Sequence, residues 1–493
     1  MVVKMSGKRL CFEYALVAGL SFLLSLLFMP WIGSPVGGFM EDDSWFYAQI
    51  AFNWPRIGYP SFDGLEETSG FHLLWGGLLA MLSWGLSIWT ESKLVLASAI
   101  SALYLVIVWA TARLIAKGRS KGFILFIATT FLLLGAFYME TALLSLMLLV
   151  LHHSLSDARS PQHSSQPLIV IVTSALCVLC RIDAVLILLI WAACLLKPRL
   201  SGYVLIGTAL GVAIHFGAMF QLFGHWYSVS SLLKSNSAVH GFGAGLPTGG
   251  ILVRSSLWIL LTIWACSRAF RAPRNAVSLG ALLGTFTFTL LHLIVSDMRS
   301  WYFLPAYAVA LLVATASEPE PTESSKRRQL QLLWGFAGLS LVLLSYKALR
   351  FVTTEDKRMK AWNFAEEVRE RVPLEDKVYE IDASGFPGYW SERHIINGDG
   401  LVNSYNYARR LMQNDLGEYL RDEGICWLIT TQRVVTKKGA ILLNYHGLSV
   451  DNALVTPVFP KSLKGSRRRT QLWKLKHPDC TSGTHASMSA RKS

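Results

Sequence analysis

The chain has 493 residues, 52% of them hydrophobic and only 16% charged, with a mean hydropathy of +0.40. Soluble globular domains carry about 25% charged residues, so this composition excludes an ordinary soluble globule and indicates a polytopic α-helical membrane protein. A formal charge of +14 would suggest nucleic acid in a soluble chain; here the basic residues stand in short clusters between apolar runs, where topology accounts for them and no nucleic acid is expected.

Lys4, Lys8 and Arg9 precede an apolar stretch over 10–30 that has no small-residue cleavage site, which predicts a retained first span rather than a removable signal. Further apolar runs follow at 71–90, 94–116, 122–138, 141–154, 167–180, 184–196, 202–222, 250–266, 277–295, 301–316 and 330–349. After Arg350 the composition turns polar and mixed. Trp362–Arg371 reads as a helix there, and Asp376–Ile381 and Ile425–Thr430 as strands. The expected division is a membrane module over 1–350, an α/β domain over 351–478 and a disordered Ser/Thr/Lys-rich tail over 479–493. Cys177 and Cys180 have CxxC spacing in an apolar run without a partner pair, which reads as packing; Cys426 and Cys480 can pair if the polar domain is outside.

Basic residues set the topology. Segment 71–90 is uncharged and long enough to cross, so crossing is its default reading. If it lies instead as an interfacial or re-entrant helix anchored by Trp75, Trp84 and Trp89, fifteen Lys and Arg fall on the cytoplasmic side and six outside. If it crosses, the count becomes eight inside against thirteen outside. The positive-inside rule selects the first arrangement: about eleven spans, the N-terminus inside, and both the 31–93 loop and the C-terminal domain outside.

The polar residues that interrupt this pattern then gather on one side. Glu41-Asp42-Asp43 is a carboxylate triplet just past the first span, followed at once by aromatics. Alone it reads as a solvated turn, yet adjacent acids at a membrane surface are costly and suit chemistry or a cation. Glu140 reads equally as a helix-capping acid or a functional one. Arg181 sits between two segments of about 14 residues, each too short to span roughly 30 Å. It is either the structural partner of Asp183 or, through its two-pronged donor geometry, a phosphate ligand; Lys234 and Arg299 are further phosphate candidates. His72 reads first as a hydrogen-bonding interface residue, then as a substrate or metal contact. The basic run from Lys461 to Lys476 reads as a solvated face before a lipid or glycan contact. There is no P-loop or HExxH, and no Gly-rich loop of the kind a nucleotide sugar would need, which favours a lipid-linked donor.

Several of these stretches resemble, in order, the bacterial GT-C-fold glycosyltransferases: Asp42-Asp43-Ser44-Trp45-Phe46-Tyr47-Ala48-Gln49-Ile50-Ala51, then Phe62-Asp63-Gly64 and Thr68-Ser69-Gly70-Phe71-His72-Leu73-Leu74-Trp75. Met139-Glu140-Thr141, Arg181-Ile182-Asp183-Ala184, Trp301-Tyr302-Phe303-Leu304-Pro305 and Asp399-Gly400-Leu401-Val402-Asn403-Ser404 continue it. Leu73, Ser69 and Tyr138 depart from the family's Pro, Asn and Gly. The resemblance implies an integral membrane enzyme, a hexosyl- or pentosyltransferase of the cell envelope, in a bacterial inner membrane. It would move a sugar from a polyprenyl-phosphate carrier to a glycan, lipid or protein acceptor at the external, periplasmic face, usually with inversion. By resemblance Asp42 or Asp43 is the general base, with Asp42 preferred. Glu140, Arg181, Asp183, His72, Lys234, Arg299, Tyr302, Asp399 and Asn403 would contact substrate. A divalent metal, Mg or Mn, is permitted with Asp43 and Glu140 as ligands, and no cofactor is required. The rival reading is a transporter or flippase of a lipid-linked glycan; the internal repeats common in transporters are not visible.

Overall fold

The computed structural model describes residues 7–31, 42–116, 139–157, 166–235, 276–295, 300–316, 355–381, 384–413 and 415–431, isolated helical positions within 123–131 and 259–265, and short strands at 441–442, 449–450, 455–459 and 470–475. Glu41, Arg299, Cys480 and nearly all of the 461–476 basic run lie outside the described residues.

The membrane module contains α1 (Gly7–Trp31), α2 (Asp42–Ile57), α3 (Leu73–Ser87), α4 (Lys93–Ile115), α5 (Thr141–Asp157), α6 (Gln166–Cys180), α7 (Ala184–Cys194), α8 (Pro198–Phe223), α9 (Val229–Ser235), α10 (Ala276–Val295) and α11 (Leu304–Ala316). Of these, α4, α8 and the 276–293 part of α10 are each long and apolar enough to cross a bilayer. Helix ends follow local chemistry. Ser92 caps α4 by accepting from Val95 N–H, Pro198 opens α8, and Gly224 closes α8 at φ 68°.

Close approaches at glycines give the helix directions. A Cβ at Gly207 of α8 would meet Ile171 and Ser174 of α6, and one at Gly211 would meet Ala175 and Val178, so α6 and α8 run parallel. α7, which joins them in sequence, must therefore run the opposite way, and α6–α7 is a hairpin with Arg181-Ile182-Asp183 at its tip. Gly280 of α10 faces Trp191 and Cys194 while Gly284 faces Ile187, so α10 opposes α7 and its C-terminal end comes to the same tip.

α3 starts and ends on that side too. His72, just before it, stands 3.5 Å from Glu140. Lys93, just after it, donates to Gln49 of α2 at 3.0 Å and to the Tyr389 carbonyl of the C-terminal domain at 2.6 Å. In between, Arg56 of α2 donates to Ser83. α3 therefore lies beside α2 rather than crossing, with Met81, Trp84, Ile88 and Trp89 exposed. Apolar side chains beside tryptophans suit the level of lipid headgroups.

The C-terminal domain is α/β. α12 (Glu355–Arg371) leads into a five-stranded sheet with order β2-β1-β3-β7-β6, from β1 (Lys377–Glu380), β2 (His394–Asn397), β3 (Trp427–Thr431), β6 (Val455–Phe459) and β7 (Thr470–Leu475). β4 (Ile441–Leu442) and β5 (Ser449–Val450) form a separate antiparallel pair. β2-β1-β3 are parallel, with α13 (Gly385–Trp390) crossing from β1 to β2, and α14 (Tyr405–Met412) and α15 (Leu416–Asp422) from β2 to β3. Val378, Ile395, Trp427 and Ile429 pack against Phe364 and Val368 of α12 on one face; Tyr379, Ile396 and Leu428 pack with Tyr407 and Tyr419 on the other. Strands covered on both faces place the domain's working edge at their carboxyl ends.

That edge meets the membrane module. Gly385 N–H and Phe386 N–H donate to the two oxygens of Asp42 at 2.9 and 3.0 Å. Thr68 donates to the Asn403 carbonyl at 2.9 Å, and a Cβ on Gly70 would stand 2.0 Å from the Leu401 carbonyl. Trp45 packs against Phe386, Tyr389 and Trp390.

Candidate active site

A buried charged cluster occupies the ends of α5, α6, α7 and α10 beneath α2. Glu140 is fully buried before α5. One of its oxygens accepts from Arg181 Nη1 at 2.5 Å, the other from the Tyr47 hydroxyl at 3.0 Å. Arg181 turns its Nε and Nη2 to Asp183 at 3.0 and 2.6 Å, a two-pronged pair. Asp183 also meets His292 Nε2 at 2.9 Å. The His292 ring stacks on Tyr302 with centroids 4.3 Å apart, and Tyr302 lies under the Arg181 guanidinium at 4.8 Å. The Glu140 carboxylate pulls His72 toward protonation, but burial dominates and holds its imidazole below its ordinary pKa. One guanidinium between two carboxylates, with that neutral imidazole, is not a cationic site at rest.

α2 sorts the acids. At 100° per residue, Asp43, Tyr47, Ile50 and Trp54 form one stripe, and Asp42, Gln49 and Asn53 another. The first faces the cluster through Tyr47 and packs on Phe71 through Trp54. The second faces the C-terminal domain and the following loop: Asn53 Nδ2 donates to the Ser61 and Phe62 carbonyls at 3.1 and 3.0 Å. A helix N-terminus alone would favour an ionised Asp42. Instead burial pushes its pKa up to about 8; the amides of Gly385 and Phe386 pull it down, and Asp43 and Asp399 push it up.

The other expected contacts divide. Lys234 is exposed on α9, close enough for its charge to be felt at His72. Asp399 holds a turn by accepting from Leu401 N–H at 2.8 Å, with Gly400 at φ 81°. Asn403 is buried, donating to the Asn397 carbonyl at 2.9 Å and accepting from Ser404 N–H at 2.7 Å. Both thus serve the docking edge. Arg299 lies outside the described residues. Sequence reasoning missed Tyr47 and His292 as cluster members; the available signal was a histidine inside an otherwise uncharged apolar helix.

Among the described residues no three His, Cys, Asp or Glu side chains converge as a metal site. Both Glu140 oxygens are already engaged by Arg181 and Tyr47, so the residues do not fit a metal bridging Glu140 to Asp43.

No protein-family model matches the chain, and no curated protein matches it in sequence. Among solved structures it is similar to the crystal structure of ArnT from Cupriavidus metallidurans bound to undecaprenyl phosphate, at 13% identity and a TM-score of 0.49, covering 87% of this chain and 94% of that one.

Proposed function

We propose that the chain is an integral membrane glycosyltransferase of GT-C type that transfers a sugar from a polyprenyl-phosphate carrier to an acceptor hydroxyl at the external face. The observation that carries the reading is the Glu140–Arg181–Asp183 cluster, with Glu140 and Arg181 buried among apolar helices and roofed by a helix that begins with two acids. Charges held at such cost mark function. The ordered motif resemblance supplies the reaction class. Cys426 of the domain is disulfide-bonded, with its partner outside the described residues, which supports an oxidising, external side.

Asp43, rather than Asp42, is the general base in this proposal. Asp42 has both oxygens engaged by backbone amides of the C-terminal domain, which leaves it committed to the seam. Asp43 shares the Tyr47 stripe. It takes the acceptor proton as the hydroxyl oxygen bonds to the anomeric carbon; the bond from that carbon to the phosphate oxygen breaks, and polyprenyl phosphate departs with the electron pair. Lys234, exposed and with its charge felt at His72, supplies the cation that receives the phosphate, and the N–H groups Arg181 has left add hydrogen bonds rather than net charge. Glu140 and Asp183 hold the guanidinium in place, and Tyr47 ties the base-bearing helix to it.

The deciding experiment incubates the purified chain with polyprenyl-phosphate sugars of several kinds and measures released polyprenyl phosphate. Release that depends on an acceptor and on Asp43 supports the reading; no release with any donor ends it.

A further inference from the structure

A cavity of about 560 Å³ opens between α2, the turn that joins α3 to α4, and the C-terminal domain. Its volume falls within the roughly 300–1,000 Å³ of small-molecule sites. Gln49, Phe52 and Asn53 form its α2 wall. They sit roughly 140° to 240° around the helix from Tyr47, so the cavity is turned away from the Glu140–Arg181 cluster and does not belong to it.

The opposite wall is a stripe of α12, Trp362, Glu366 and Arg369, spaced four and three residues apart on one helix face. Trp362 meets Trp390 with ring centroids 5.0 Å apart at 54°, giving an angled aromatic corner. Glu366 and Arg369 remain 43% and 41% exposed and pair only loosely, at 3.7 Å. The other two basic side chains are committed. Lys93 donates to Gln49 and the Tyr389 carbonyl, and Arg393 donates to the carbonyls of Val372, Arg369 and Glu392. Exposed Glu91 and Glu392 add negative charge at the rim. Asp63, Glu91, Glu366 and Glu392 together match or exceed the charges of Lys93, Arg369 and Arg393, so the cleft has no net positive charge, which disfavours phosphates and anionic headgroups. Flat rings beside planar carboxylate and guanidinium groups fit a ligand with apolar C–H faces and many hydroxyls.

We propose that this cleft binds a neutral saccharide chain, the part of the acceptor glycan distant from the bond being made. The identity of the saccharide as acceptor rests on the transferase reading; the binding does not. At 1.5 Å per residue, Phe52 lies about 13 Å along α2 from Asp43, a separation that a short oligosaccharide spans.

The test is a glycan array carrying neutral, acidic and phosphorylated oligosaccharides, probed with the full detergent-solubilised chain. Neutral oligosaccharides should be retained. Glu366→Gln and Arg369→Ala, both on exposed side chains, should weaken retention at least about fivefold without lowering the melting temperature, as should Trp362→Phe if it stays docked. Asp43→Asn should bind normally. Retention of no neutral glycan, retention of only phosphorylated glycans, or retention unchanged in Glu366→Gln and Arg369→Ala would overturn the assignment. Normal binding in a chain that releases no polyprenyl phosphate would keep the cleft and sink the transferase reading.

Discussion

Adjacent acids at the start of α2 have different surroundings, and that separates their variants. Asp43→Asn should fold and dock normally yet lose about 10²-fold or more in turnover, the range for loss of a general base. Asp42→Asn should keep more turnover per docked molecule while weakening the seam with Gly385 and Phe386. Equal losses in both would refute the division of labour. Asp42 also makes a pH prediction. Its folded pKa of about 8 lies above the unfolded carboxylate value near 4, so the folded state holds the extra proton between them. Its contribution is complete below about pH 4 and is lost as pH rises through about 8. Melting temperature should thus fall across that window more steeply in the native chain than in Asp42→Asn; parallel profiles would contradict it. At the cluster, Arg181→Met should cost about 3–5 kcal/mol, because it removes the cation between two carboxylates and leaves Glu140 only Tyr47 and His72, and Asp183 only His292. A well-folded Arg181→Met protein would show the pair to be dispensable for stability.

Among the elements, α3 shows best where apolar length misleads. Residues 71–90 satisfy every compositional test for a span, but the contacts of His72 and Lys93 bring both ends to one side. In a chain freed of native reactive thiols, Glu67→Cys and Glu91→Cys flank this helix at exposed positions. Both should react with an impermeant thiol reagent from the same side of the membrane. Reaction from opposite sides would mean that α3 crosses. The α6–α7 hairpin has the converse logic: its two arms are individually too short, and its Arg181–Asp183 tip stays inside because Glu140 and His292 arrive from other helices to hold it.

Over the whole molecule, the domain is seated by backbone against backbone. A Cβ on Gly385 would lie 2.2 Å from the Asp42 carbonyl, and one on Gly70 would lie 2.0 Å from that of Leu401. Gly70→Ala and Gly385→Ala should each destabilise the assembly by about 1–3 kcal/mol, the usual cost of overpacking, read as a lower melting temperature. Gly77→Ala on α3, where a Cβ meets nothing within 4 Å, should be neutral or slightly stabilising. If all three variants behaved alike, the docked arrangement would be wrong.

Composition and the spacing of apolar runs were enough to establish a helical membrane module followed by a mixed α/β domain, because hydropathy is a local property that survives averaging over a segment. The motif residues Glu140, Arg181 and Asp183 were legible as a set because charge inside apolar sequence is rare. What sequence could not decide was which partner each one takes. Asp42 and Asp43 are chemically identical neighbours; only the 100° between them, with Gly385 from one direction and Tyr47 near the other, makes one a docking clasp and the other the candidate base. Asp399 and Asn403 could be named from their motif, but the turn that Asp399 holds and the carbonyl to which Asn403 donates are set by the fold. His292 joins the cluster across 109 residues of chain, and the cleft between α2 and α12 joins walls more than 300 residues apart. Such pairings are set by helix direction and domain seating, which depend on long-range packing and leave no periodic trace in the sequence.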